Sequence, residues 1–301
     1  MKSSALRPKA PVFIMYLLPG LALYTYIALS PIISSLRLSF YSWTGGKKIT
    51  YVGWDNYLNL FGDEIFWRAF VNNLVITMLC IVGQIGFAFL FSSMLNSKWT
   101  WLKSFHRTVA YFPVTLSAVI VGFTWSFIFN YNYGLLNAAL RMAGLKEWAQ
   151  PWLDNPKTII YIISIPVIWQ YIGFYMIILL AAITSIDKEV FEMAELDGAN
   201  GLQKAFKITL PMIRNTLIVT VMLCISGNMR IFDHIYVMTG GGPGTSSMVM
   251  AMHAYNASFI KYQLSYGSTL SIAILVLSML LIVLSRTLLN PPWTKGGKRR
   301  D

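Results

Sequence analysis

Six stretches of the chain stay apolar for long enough to cross a hydrocarbon core, which takes about 20 residues of helix. They run roughly over 12–36, 70–95, 108–130, 158–183, 212–236 and 266–289. The pattern predicts an all-α integral membrane protein with six transmembrane helices. The longest segment between stretches has about 33 residues, and no repeat or low-complexity linker divides the chain, so 1–301 reads as a single membrane domain. Pro19, Pro31, Pro113 and Pro166 fall inside the stretches and mark kinks, whether around a pathway or purely structural. Neighbouring helices and Ser or Thr side chains satisfy the carbonyls that such prolines free.

Composition agrees with this pattern: 56% of residues are hydrophobic and 12% charged, against about 25% charged in a soluble domain. Lys2, Arg7 and Lys9 precede the first stretch, which is too long for a signal-peptide core, lacks a small-residue cleavage site, and reads as a retained anchor. With six crossings both termini share a side. That side collects 15 of the 24 Lys and Arg residues and the other side 8, the remaining one being Arg230. The positive-inside rule therefore predicts cytoplasmic N and C termini. A net charge of +12 spread over loops points to anionic lipid headgroups and not to nucleic acid.

The residues that other chemistries need are missing from the pattern. Cys80 and Cys224 lie in apolar stretches as small hydrophobes, and His106, His234 and His253 stand at or near loops without ligand spacing. This leaves an integral-membrane enzyme or a metal site without its residues. A secondary transporter would need a carboxylate at mid-membrane, and none is present at mid-span. Arg230 is the exception within the fifth stretch, and Asp233, three residues on, is its expected partner. Thr239-Gly240-Gly241-Gly242-Pro243-Gly244 lacks the Gly-Lys-Ser/Thr ending of a phosphate loop and reads as an outer turn. Any ATP and Mg that drive this protein belong to another chain.

The loop 184–211 has the grammar of two short helices. Ser185 or Asp187 caps the first, acidic residues open it, and Gly198 ends it in a left-handed turn. Asn200 caps the second, with Gln203 at the capping-box position, and Pro211 ends it or opens the next crossing. Val190, Met193 and Ala194 share one face; Leu202, Ala205 and Phe206 share another. Periodicity alone leaves a membrane surface and a protein partner equally open as the occupant of these faces.

The run Glu192-x-Ala194-x-x-Asp197-Gly198-Ala199, then nine residues, then Ile208-x-Leu210-Pro211, resembles the E-A-A signature of binding-protein-dependent ABC importer permeases. Met193 departs from it, standing where the family usually has Ala. Arg230-x-Phe232-Asp233, Thr239 through Pro243, and Tyr255-Asn256 with Tyr266-Gly267 resemble the sugar branch of maltose and glycerol-3-phosphate permeases. The resemblance implies a type I importer fold whose loop, through Glu192, Met193, Ala194, Asp197, Gly198 and Ala199, couples to a cytoplasmic ATPase dimer. It also implies a second homologous permease as heterodimer partner, an extracytoplasmic sugar-binding protein, and a carbohydrate cargo. Matching to maltose-type permeases puts Val114, Ala118, Val167, Gln170, Tyr171, Phe174, Cys224, Gly227, Asn228 and Ile231 at pathway positions. Gln170, Tyr171, Phe174, Asn228 and Arg230 are the candidate cargo contacts among these and their neighbours, though each amide is equally suited to join helices.

Overall fold

The structure is a computed structural model that describes residues 10–97 and 100–289. The basic residues 2, 7 and 9, and the tail beyond 289, lie outside the described residues. Among the described residues four helices are long and apolar enough to cross a membrane: Ile14–Leu38, Glu64–Asn96, Ile159–Thr184 and Leu264–Leu289. Two bent helix pairs pass the same test together, Lys103–Thr115 with Ala118–Ile128 at 96° and Gly201–Met212 with Arg214–Asn228 at 78°. Counting each pair once gives six crossings.

The bend of the third span falls by Pro113, one of the prolines that mark kinks, and that of the fifth falls just after Pro211, where the second loop helix is expected to end. Between the halves of the third, Pro113 sits in a tight turn over Phe112–Thr115, and the Ser117 hydroxyl then caps a new helix by accepting from Val119 N–H. The fifth span also ends earlier than expected. Its helix stops at Asn228, residues 229–232 leave helical geometry, and a separate short helix begins at Asp233.

Proline leaves a second local signature. A π-helical turn over Thr25–Leu29 precedes Pro31, and another over Lys204–Thr209 precedes Pro211. A proline has no N–H for the carbonyl four residues back, Ile27 or Lys207 here, and the widened turn lies over that orphaned carbonyl.

Packing divides the chain into two compact units, one reaching to Asp63 with Ala254–Ala273, the other Glu64–His253 with the segment from Ile274 onward. In the first, a two-residue antiparallel ladder pairs Tyr41 with Tyr51 and Ser42 with Thr50, the one departure from an all-α fold among the described residues. Asn56, buried, donates to the carbonyls of Ser39 and Tyr41 at 2.8 Å and ties the loop to the end of the first crossing.

The second unit packs Glu64–Asn96 and Arg214–Asn228 against Ile159–Thr184, burying Phe66, Ile76, Ile163, Met176 and Leu179. Lipid-exposed helices gain little from apolar burial alone, so close approach and polar staples matter. Ser92 donates to Met176 O at 2.9 Å and Gln84 to Val167 O at 2.9 Å. Gly173 lets Ile159–Thr184 touch the backbone of Lys103–Tyr111 at Ala110 and Tyr111. The turn after Thr239 carries positive φ at Gly240, Gly241 and Gly244, and Asn72 in the second crossing donates to Ser246 O and Met248 O beyond it.

Candidate functional site

The loop between the fourth and fifth crossings folds as its residue grammar dictates. A helix Lys188–Leu196 ends in a Schellman turn: Ala199 N–H bonds Ala194 O at 2.9 Å, Gly198 N–H bonds Glu195 O at 3.1 Å, and Gly198 takes φ +75°. Asn200 and Gln203 close a reciprocal capping box, both bonds at 2.9 Å. Across the turn, Lys204 pairs with Glu195 at 3.0 Å. The start of the first helix differs from expectation. Asp187 is the N-cap residue but makes no side-chain cap bond, and the Ser185 hydroxyl turns back to Ala182 O.

The faces divide unevenly. Ala194 is buried, whereas Met193 is 58% exposed although it was grouped with Ala194 on one face. Leu196, Leu202 and Phe206 are exposed too, and Glu192, Asp197 and Gly198 lie open beside them. Phe206 also meets Phe89 of the second crossing, ring centroids 6.0 Å apart, which anchors the pair to the membrane domain. Asn200→Ala removes one half of the capping box and is expected to cost about 1 kcal/mol of local stability. Faster amide hydrogen exchange across Gly201–Met212, with Arg214–Asn228 and the other crossings unchanged, is the measurement that checks it.

A second feature is a cavity of about 360 Å³ within the larger unit. The fourth crossing contributes Val167, Tyr171, Phe174 and Tyr175, with Tyr171 halfway along Ile159–Thr184. Leu223, Ser226, Gly227 and Asn228 come from the fifth crossing, Arg230 to Phe232 from the break, and Asp233 and His234 from the short helix that follows. Gln84 and Ala118 complete it from the second and third crossings. The break in the fifth crossing is what delivers the charged pair to this cavity. It is pinned by Asn73, fully buried, which donates to Asn228 O and accepts from Met250 N–H, both at 2.9 Å.

Of the ten pathway positions, Ala118, Val167, Tyr171, Phe174, Gly227, Asn228 and Ile231 line this cavity; Val114, Gln170 and Cys224 do not. Gln170 is buried behind it as a joint between elements, donating to Leu116 O at 2.9 Å and meeting His234 Nε2 at 2.7 Å. Asn228 lines the cavity while its amide nitrogen bonds Cys224 O at 2.9 Å. Arg230 does not pair with Asp233. Its Nε donates to Ser226 O at 3.0 Å and Nη2 reaches the Ser226 hydroxyl at 3.5 Å, because the chain between 228 and 233 is no longer helical and i to i+3 proximity is lost.

His234 and Gln84 escaped the residue pattern. Gln84 is an amide in the middle of an apolar run, and a polar side chain at that depth marks a site by default. His234 reads in the sequence as a residue at or near a loop without ligand spacing, and only the fold carries it to the cavity. Among the described residues no group of three His, Cys, Asp or Glu side chains converges at metal-binding distance. The cavity offers aromatic rings, amides, hydroxyls and one charge of each sign: a binding chemistry for a polyhydroxylated molecule.

With this geometry in place, the comparisons with known proteins are informative. Residues 84–291 match the model of a family described as binding-protein-dependent transport system inner membrane component. The probable ABC transporter permease protein YurN of Bacillus subtilis strain 168 is 30% identical over 94% of this chain and 96% of its own. The sulfoquinovosyl glycerol transport system permease protein SmoG of Agrobacterium fabrum is 29% identical over 88% and 86%. The lactose transport system permease protein LacF of Rhizobium radiobacter is 28% identical over 87% and 89%. A crystal structure of a bacterial alginate ABC transporter, in complex with alginate pentasaccharide-bound periplasmic protein, superposes with TM-score 0.80 and 24% identity over 93% of this chain and 94% of that one, a likeness of fold.

Proposed function

The chain belongs to the family of binding-protein-dependent transport system inner membrane components, and from that premise we propose that it moves a carbohydrate through the cavity beside Tyr171. It is a multi-pass ABC importer permease of the type I fold. The cargo reading rests on one observation, a cavity at mid-helix depth that joins the rings of Tyr171, Phe174 and Phe232 to hydrogen-bonding groups. Sugars present apolar ring faces and outward hydroxyls, and this lining complements both. Relatives that carry lactose and sulfoquinovosyl glycerol support the class.

ATP and Mg sit on a separate ATPase dimer, which meets the loop at Glu192, Met193, Ala194, Asp197, Gly198 and Ala199. Exposed Met193 and Leu196 beside the Gly198 turn give that partner an apolar surface to grip. ATP closure of the dimer then tilts this permease against a second homologous one, as rigid bodies around the cavity. A sugar-loaded binding protein delivers cargo from outside, both termini face the cytoplasm, and 1–301 acts as one permease domain. The chain itself is not an enzyme. Uptake of lactose, maltose and a uronic-acid disaccharide by the reconstituted complex tests the proposal: transport of at least one is expected, requiring both ATP and binding protein. Uptake that continues without ATP, or no uptake of any of the three, overturns it.

We assign Arg230 to an acidic group on the cargo, since Ser226 engages two of its nitrogens and Nη1 has no partner among the described residues. Arg230→Gln is expected to lower uptake of the uronic-acid disaccharide about tenfold, the worth of one charged hydrogen bond, while lactose uptake stays within about twofold. Equal effects on both sugars would remove the assignment.

A further inference from the structure

We propose that His234 is a specificity-determining residue that accepts a hydrogen bond from one cargo hydroxyl through Nδ1; this rests on the carbohydrate reading above. The argument begins at Gln170. Its amide lies between Leu116 O at 2.9 Å and His234 Nε2 at 2.7 Å. An amide oxygen facing the Leu116 carbonyl would set two acceptors against each other, so the NH2 group faces Leu116 and Oε1 faces the imidazole. Oε1 only accepts. The neutral His234 ring must therefore carry its proton on Nε2, and Nδ1 is left with a lone pair.

Nδ1 has no partner among the described residues, on a side chain that lines the cavity. His234 is only 3% exposed and its Nε2 is bonded to Gln170 at 2.7 Å, which sets the orientation of the ring. The neighbouring groups in the lining are donors, acceptors or both: Arg230 donates, Asp233 accepts, and Tyr171 does either. A fixed acceptor at Nδ1 demands a donor at one position of the cargo, which a sugar hydroxyl supplies and an ether or a deoxy carbon does not. Gln170 acts through His234 as a positioning residue, which accounts for its place behind the cavity.

The complete complex in proteoliposomes, with saturating binding protein, is given whichever of lactose, maltose or the uronic-acid disaccharide it transports, and then the monodeoxy analogues of that sugar. The wild-type complex is expected to move one analogue about tenfold more slowly than the parent. His234→Ala should slow the parent to that level and leave that one analogue unchanged, so the difference vanishes. The binding protein is common to both arms, and its own preferences cancel. If His234→Ala slows parent and analogues by the same factor, His234 is structural and the inference falls while the carbohydrate reading stands. If none of the three sugars is transported, that reading fails first and the inference with it. A separate measurement needs no variant: nitrogen-15 imidazole spectra of the intact complex should show His234 protonated at Nε2 and bare at Nδ1, and the opposite tautomer overturns the proposal. Gln170→Met should abolish that preference and lose part of the deoxy discrimination.

Discussion

Gly198→Val is expected to leave the protein inserted and folded in the membrane while ATP-driven uptake falls about tenfold or more. Nothing lies within 4 Å of where a side chain would project from Gly198, so the loss is not a clash. It is conformational. The backbone holds φ +75° there, a region that costs an ordinary residue about 1–2 kcal/mol and a β-branched one more. The Schellman bonds from Gly198 and Ala199 would be given up first, and with them the angle between the two loop helices that the proposed coupling transmits. Asparagine tolerates the left-handed region, so Gly198→Asn should recover much of the uptake where Gly198→Ala recovers less. Sugar uptake and copurification of the ATPase, measured across this series, read the effect. A valine variant with normal uptake would remove the loop from the coupling path.

Gly173→Ala should instead damage the fold. A methyl group there would lie 2.6 Å from Tyr111 Cα and closer still to the Ala110 carbonyl oxygen, both backbone atoms that cannot rotate away. The fourth crossing and the first half of the third would have to separate. Overpacking of this kind costs about 1–3 kcal/mol, and Gly173→Leu would exceed that range. Thermal unfolding of the purified protein in detergent measures it. Gly86→Ala is the control: it lies in helix with open space around it, and replacing a helical glycine by alanine should leave stability unchanged or improved. Equal losses at the two sites would mean that Gly173 is not a contact point.

The turn and second helix of the loop between the fourth and fifth crossings were legible because their features are local. A left-handed stop needs Gly, and a capping box needs Asn and Gln three apart, as at Asn200 and Gln203. The number of crossings was legible from hydropathy. Their shape was legible only in part: residues 108–130 are apolar on both sides of the bend and Pro113 marks where the kink falls, but its size of 96° follows only from the fold. The misassigned Arg230 partner came from assuming helix through 236. Once the helix ends at Asn228, the spacing that joins i to i+3 no longer applies. Gln170 illustrates a different limit. A buried amide is equally suited to a cargo or to a neighbouring element, and only the positions of Leu116 and His234 decide which it serves.

Tyr171 stands halfway along the fourth crossing, and the cavity beside it sits near that depth. Cargo held there has traversed roughly half of the transmembrane voltage. For a neutral sugar this is of no consequence. A sugar bearing one negative charge would work against an inside-negative potential, by about 1 kcal/mol per 100 mV for that half of the journey. The importer would then act as an electrogenic machine, with part of each ATP turnover held in the membrane field.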